Sequence, residues 1–85
     1  MHTSLEELRL KLNEAAQSIE IGGHYMHYKT PTTTYEVKEL VINEADEQLL
    51  VLYFPVVSPE TVFARPLTSW LEEVGPGVRR FRTLQ

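Results

Sequence analysis

Apolar residues in the first 21 positions recur at intervals of three and four, which is the spacing of one helix face. This apolar stripe consists of Leu5, Leu8, Leu12, Ala15 and Ile19. Capping-box spacing at its start and a glycine pair at its end are helix boundary signals. The boundary residues are Thr3 with Glu6, Ser4 with Glu7, and Gly22-Gly23. The pattern predicts an amphipathic N-terminal helix over residues 3–21.

The same stripe fits two kinds of packing. Its members alternate as a and d positions of a heptad repeat, so they are suited to bind a protein partner or to form a homodimer. A free helix of this length is marginally stable in water, and this favours packing against the chain's own domain. Both interpretations stay open.

From residue 24 onward, shorter alternating segments predict β-strands. We expect strands at residues 24–29, 49–54 and 61–65, with another between the first two. We also expect a turn at residues 30–34, which contain Pro31, and a polar hairpin loop at residues 43–47.

The strand that follows the turn changes phase along its length. Tyr35 and Val37 alternate together, whereas Leu40 and Ile42 are displaced by one residue. A slip of this kind at Lys38-Glu39 is typical of a β-bulge, which bends a strand and helps a small sheet to curl.

The C-terminal part contains a second helical pattern. Pro66 suits the first position of a helix, and the apolar spacing predicts a short helix at about residues 67–74 before a last strand at residues 78–84. Five bent strands and two helices predict a mainly β (α+β) fold, a small SH3-like barrel. Residues 1–21 would be the N-terminal amphipathic helix and residues 22–85 the barrel domain.

The strand at residues 49–54 is apolar on both faces, since all six of its residues are large and hydrophobic. A five-stranded barrel has only one interior, so the second face requires another cover. We expect the N-terminal helix to pack on the outside of the barrel there, with a helix-mediated dimer as the alternative.

Composition narrows the functional classes. The chain has 85 residues, no cysteine and a net charge of −4, so disulfides and thiolate metal sites are excluded. The longest apolar run has six residues, which predicts no membrane segment. We expect a cytoplasmic protein. The acidic total disfavours nonspecific nucleic-acid binding, although residues 61–85 carry four arginines against two glutamates.

Recognisable catalytic chemistry is sparse in the sequence. His24 and His27 are three apart on a strand, so they face opposite ways and do not suggest a shared metal. No cofactor motif and no nucleophile set is found. The alternation does place Tyr25, His27 and Lys29 on one strand face, and Arg65 before Pro66 is well placed to hold a carboxylate or phosphate.

Several of these residues form a motif pattern that resembles the bacterial domain of unknown function 1653 family over about residues 22–84. The matching pieces are Gly23-x-Tyr25-x-His27-Tyr28-Lys29, Tyr35-x-Val37, Tyr53, Arg65-Pro66-Leu67-x-x-Trp70, Val74 and Arg80-Phe81-Arg82. This sequence departs from the family pattern at Trp70, where phenylalanine is usual, and in the turn at residues 30–34. The resemblance implies a β-rich domain and no particular reaction. Its polar motif residues are Tyr25, His27, Lys29, Tyr53 and Arg65, which we take as the candidate ligand-binding site.

Three functional hypotheses follow. The first is a noncatalytic module that binds a small anion, a nucleotide or an acidic peptide at those five residues. The second is a structural protein that docks a partner or self-associates through its helix. The third is an enzyme with His27 as general base and Arg65 as anion clamp.

Overall fold

The computed structural model describes residues 3–84, which form two helices and seven strands. In chain order these are α1 (Leu5–Ala15), β1 (His24–His27), β2 (Thr30–Asn43), β3 (Gln48–Pro55), β4 (Phe63–Pro66), α2 (Leu67–Trp70), β5 (Glu73–Gly75), β6 (Val78–Arg79) and β7 (Phe81–Thr83). Five strands form an antiparallel sheet in the order β4-β3-β2-β1-β7, and β5 pairs with β6. The predicted mainly β fold with an N-terminal helix and a short second helix is therefore confirmed.

The sheet curls strongly but does not close. In a flat sheet, β3 and β7 would lie three strand spacings apart, about 14 Å. The rings of Tyr53 on β3 and Phe81 on β7 are nevertheless only 5.4 Å apart. Among the described residues the edge strands β4 and β7 are not hydrogen-bonded to each other, so the predicted SH3-like barrel is not confirmed.

The predicted bulge in β2 is confirmed. Val37 pairs with Tyr53 and Glu39 with Leu52, which leaves Lys38 as the extra residue. Because of this residue, Val37 and Leu40 both face the core despite their odd separation. The segment before β1 is hydrogen-bonded to this bulge, because the Gly22 N–H donates to the Val37 carbonyl at 2.8 Å.

Helix α1 begins as predicted and ends earlier. Ser4 and Glu7 form the capping box. The helix stops at Ala15 and not at residue 21, because the next turn tightens: the Ser18 N–H donates to the Ala15 carbonyl at 2.9 Å. This bend carries Ile19 into the core. Gly22, with a φ of 82°, forms the turn into β1 and not the helix stop.

The prediction that α1 covers the outer face of β3 is wrong. Leu8 of α1 lines a concavity with Ile42, and the register of β2 with β3 puts Ile42 on the core face with Val51. The helix therefore lies toward the core side of the sheet, and Ile19, four residues after its end, packs in the core. On the outer face, Leu50, Leu52 and Phe54 remain half-buried.

Two other boundaries differ from the expectation. The predicted turn at residues 30–34 belongs to β2, with residues 31–33 looped out opposite β1. The short helix has only four residues and not eight, because β5 and β6 form a hairpin around Gly77, which has a φ of 72°. Arg80, whose N–H donates to the Glu72 carbonyl, interrupts the predicted last strand between β6 and β7.

The core is an aromatic cluster packed together with buried aliphatic side chains. The rings of Trp70 and Phe81 stack at 3.7 Å with an interplanar angle of 7°. Tyr25 and Tyr53 meet Trp70 edge-on, at 5.2 and 5.0 Å. Trp70, which is 2% exposed, thus fills the interior of the curl.

The two ends of the predicted apolar stripe should contribute very differently to stability. Ile19 is 4% exposed and Leu5 is 74% exposed. We expect Ile19→Ala to lower the free energy of unfolding by about 2–5 kcal/mol, because it leaves a cavity in the core. The matched control Leu5→Ala should change it by less than about 0.5 kcal/mol. Urea unfolding followed by tryptophan fluorescence measures both, and equal losses would contradict this placement of the helix.

Candidate functional site

Arg65 lies near the end of β4, an edge strand of the curled sheet. It pairs with Val51 of β3, so its side chain points to the core face. Its Nη1 donates to the Ser69 Oγ at 2.9 Å, and its guanidinium carbon lies 5.6 Å from the centre of the Phe81 ring. Pro66 follows at once, and its fixed backbone leads the chain into α2.

The guanidinium of Arg65 is incompletely satisfied. Its Nε is buried and has no hydrogen-bond partner. Within residues 3–84 the ion pairs are His24 with Glu36 and Arg80 with Glu72, so Arg65 has no carboxylate partner in the part of the chain that is described. Half-buried charges without a counter-ion are unfavourable, and such a group gains from an anion.

Arg65 forms one wall of an open concavity of about 400 Å³, which we call the Arg65 groove. Its polar lining residues are His27, Lys29, Thr30 and Arg65. Its aromatic lining residues are Tyr35, Tyr53, Phe63 and Phe81. Among the described residues no carboxylate lines this groove, so its charge is positive.

Aromatic side chains that meet edge-on or at a tilt form the floor of the groove. Tyr53 lies at the centre, 5.4 Å from Phe81, 5.5 Å from Tyr35 and 5.6 Å from Phe63, measured between ring centres. Tyr53 and Phe81 are buried, whereas Phe63 is 44% exposed at the outer end. The groove therefore has a rigid apolar base and one accessible ring.

His27 lines the side of the groove opposite β4. Its ring meets Phe81 edge-on at 4.9 Å, and its Nδ1 accepts the backbone N–H of Lys29 at 3.1 Å. Burial lowers the pKa of His27 below its ordinary value of 6.5, and the positive charges of Arg65, Arg80 and Lys29 lower that pKa further. His27 is thus a neutral ring at pH 7 that gains a proton more readily when an anion is near.

The structure brings together four of the five candidate residues. His27, Lys29, Tyr53 and Arg65 line the groove, whereas Tyr25 does not. Tyr25 is buried on the other side of Phe81, where its hydroxyl accepts the Glu20 N–H at 3.0 Å. Its role in this structure is to pack the core.

Sequence reasoning missed several members of the groove. Phe63 is two residues from Arg65, so strand alternation alone would place both on one face. Tyr35 and Phe81 belong to the motif pattern, but the sequence does not indicate that their rings line a site. Ser69 has no local signal, because its contact with Arg65 depends on the turn into α2.

Ser69 accepts hydrogen bonds from two arginines, of which only Arg80 also has a carboxylate partner among the described residues. Its backbone carbonyl accepts Arg80 Nε at 3.2 Å, while Arg80 Nη2 lies 2.7 Å from a Glu72 carboxylate oxygen. Arg80 is therefore a neutralised structural cation. Arg65, which shares the same serine, has no carboxylate partner among the described residues.

Other chemistry is limited in the described part of the chain. His24 and His27 face opposite ways as predicted, since His24 pairs with Glu36 on the outer face. No cluster of three metal-ligating side chains occurs within residues 3–84. In the same range, neither helix has the length and hydrophobicity needed to cross a membrane.

Comparison with known proteins gives one match. Residues 23–83 match the family model described as protein of unknown function (DUF1653). Neither the curated proteins nor the solved structures contain a match to this chain. The matched segment contains every residue of the Arg65 groove.

The lowered pKa of His27 predicts a pH dependence of stability. Well above pH 6.5 the histidine is neutral in both states, so the full stability is present. As the pH falls from 6.5 to the lower pKa of the folded state, the unfolded chain binds the proton first and stability is lost. We expect His27→Gln to reduce the loss of unfolding free energy between about pH 8 and about pH 5, as measured by urea unfolding. The control His24→Gln keeps that loss. An unchanged slope in His27→Gln would contradict the assignment.

Proposed function

Because the chain belongs to the DUF1653 family, whose description states no function, we propose from the groove itself that this protein is a noncatalytic binding module for a small anionic ligand. The observation that carries this proposal is Arg65: it is half-buried, stacked near Phe81 and without a carboxylate partner among the described residues. The ligand classes are a small anion, a nucleotide or an acidic peptide.

The shape of the groove supports a ligand with an anionic group and a flat apolar part. Arg65 and Lys29 supply donors for oxygen atoms, and the aromatic floor supplies an apolar surface beside them. A planar ring of the ligand stacked on Phe63 would place its anionic substituent within reach of the Arg65 guanidinium. A nucleotide combines these two features.

The same geometry favours binding over catalysis. His27 would need a carboxylate or a carbonyl to orient its ring for general-base chemistry. Its Nδ1 is instead engaged by the Lys29 backbone N–H, and no carboxylate lines the groove within residues 3–84. The enzyme hypothesis, with His27 as base and Arg65 as clamp, has less support for this reason.

A structural or interaction role is the second candidate. Leu5 and Leu10 of α1 are exposed, and the outer face of β3 has no covering layer in the described structure. Self-association through these apolar surfaces would predict a dimer in solution. Sedimentation of the whole chain at millimolar concentration tests this, since a monomer there would contradict it.

The binding proposal predicts a localised response to anions. We expect sulfate, inorganic phosphate, adenosine monophosphate or an acidic peptide to shift the NMR signals of His27, Lys29 and Phe63 together. Arg65→Gln should weaken the strongest of these interactions about tenfold or more, because a charge-assisted hydrogen bond is lost. The matched control Arg9→Gln removes the same charge from the exposed surface of α1 and should have little effect.

Two results would contradict the proposal. One is the absence of shifts in the groove with all four probes. The other is equal affinity in Arg65→Gln and in Arg9→Gln. If Arg65→Gln fails to fold, Lys29→Gln serves in its place, since Lys29 is exposed and its side chain supports no packing in the core.

A further inference from the structure

A second groove lies on the opposite face of β1, where Met26 pairs with Arg82, and it reaches the first groove around the turn between β1 and β2. It encloses about 500 Å³ around the β5–β6 hairpin turn at Gly77, and we call it the Arg82 groove. Its side chains are Met26, Tyr28, Pro31, Val78, Arg79 and Arg82. Most of these are apolar, and Tyr28 is 38% exposed.

The two grooves meet at the turn between β1 and β2. The rings of His27, in the Arg65 groove, and Tyr28, in the Arg82 groove, lie 4.9 Å apart with an angle of 35°. The Lys29 Nζ lies 5.7 Å from the centre of the Tyr28 ring. A ligand that leaves the first groove past His27 therefore reaches Tyr28 directly.

Cationic side chains line both grooves, and no carboxylate of the described chain lines either. Arg65 and Lys29 line the first groove, and Arg79 and Arg82 line the second. Within residues 3–84, Arg82 has no ion pair or side-chain hydrogen bond to hold it. Arg79 likewise forms no ion pair within residues 3–84, although Glu73 lies opposite it in the backbone register of the β5–β6 hairpin.

We propose that the two grooves together form a track for single-stranded nucleic acid. This inference rests on the proposed function, since the Arg65 groove would hold one nucleotide of the strand. Accessible rings alternate with cations along the track, from Phe63 and Arg65 through His27 and Lys29 to Tyr28 and Arg82. Unpaired bases stack on such rings while the cations neutralise the backbone.

The rings distinguish this ligand from other polyanions. An acidic peptide would use the cations but would leave Phe63 and Tyr28 without matching flat groups. A duplex keeps its bases stacked on one another, so it would use only the phosphates. A single strand uses both kinds of contact, and it is the polyanion that the track suits best.

Length dependence is the first test. Fluorescence anisotropy at low salt compares thymidine monophosphate with labelled oligothymidylates of increasing length. We expect affinity to rise by an order of magnitude or more and to level off at roughly four to eight nucleotides, the lower range of single-strand sites on small β-folds. With three or four neutralised phosphates, the logarithm of the affinity should fall with that of the salt concentration with a slope of about −2 to −3.

Variants then separate the two grooves. Arg82→Gln should make the salt slope shallower by about 0.7 and weaken the long oligonucleotide, because one phosphate contact is lost. It should leave the monophosphate unaffected, since Arg82 is not in the Arg65 groove. Tyr28→Ala should weaken the oligonucleotide about fivefold or more through lost stacking. Arg9→Gln, on α1, is the charge-matched control.

Each other outcome has a definite meaning. If the monophosphate binds at Arg65 and the oligonucleotide binds no tighter, the track is wrong and the proposed function stands. If neither binds and no other anion does, both are wrong. A duplex or a glutamate-rich peptide that binds as tightly as the single strand would overturn the inference, because stacking would then contribute nothing.

Discussion

The stacking of Trp70 on Phe81 is the contact on which the rest of the arrangement depends. Trp70 follows β4 and Phe81 begins β7, so this pair joins the two edges of a sheet that has no hydrogen bonds between them. Aromatic burial replaces the missing ladder, and the bulge at Lys38 permits the necessary bend. Without this contact the sheet would curl less, and Arg65 on β4 would lie far from His27 on β1.

The same contact places Arg65 in a half-buried position beside Phe81. Burial of a guanidinium is unfavourable unless donors and charge are compensated. Here Ser69 accepts from Nη1 and the face of Phe81 attracts the cation, while the buried Nε has no hydrogen-bond partner among the described residues. Arg80 shows the contrasting solution, because Glu72 neutralises it. The two arginines beside Ser69 thus differ. Arg80 already has a carboxylate partner, whereas Arg65 has none among the described residues.

Local patterns predicted the parts of this fold that depend on neighbouring residues. A run of six apolar residues located β3, and the slip in phase located the bulge at Lys38, because both follow from the positions of side chains along one strand. The end of α1 could not be predicted in this way. It depends on Ile19 reaching a core that distant strands form, and on the Tyr25 hydroxyl accepting the Glu20 N–H. The contact between Arg65 and Phe81 likewise depends on the curl, which no short segment encodes.

Net charge was a weak guide to the groove for a physical reason. The acidic hairpin at residues 44–47 lies beyond the far end of β3, about 13 Å along the strand from Val51, the residue opposite Arg65. At 0.1 M ionic strength, exposed charges are screened over about 10 Å. An anion at Arg65 therefore experiences mainly the cations that surround it, even though the whole chain carries −4. Separation of the two signs along the sheet also orients an approaching polyanion toward the basic end, which a uniform distribution of the same total charge would not do.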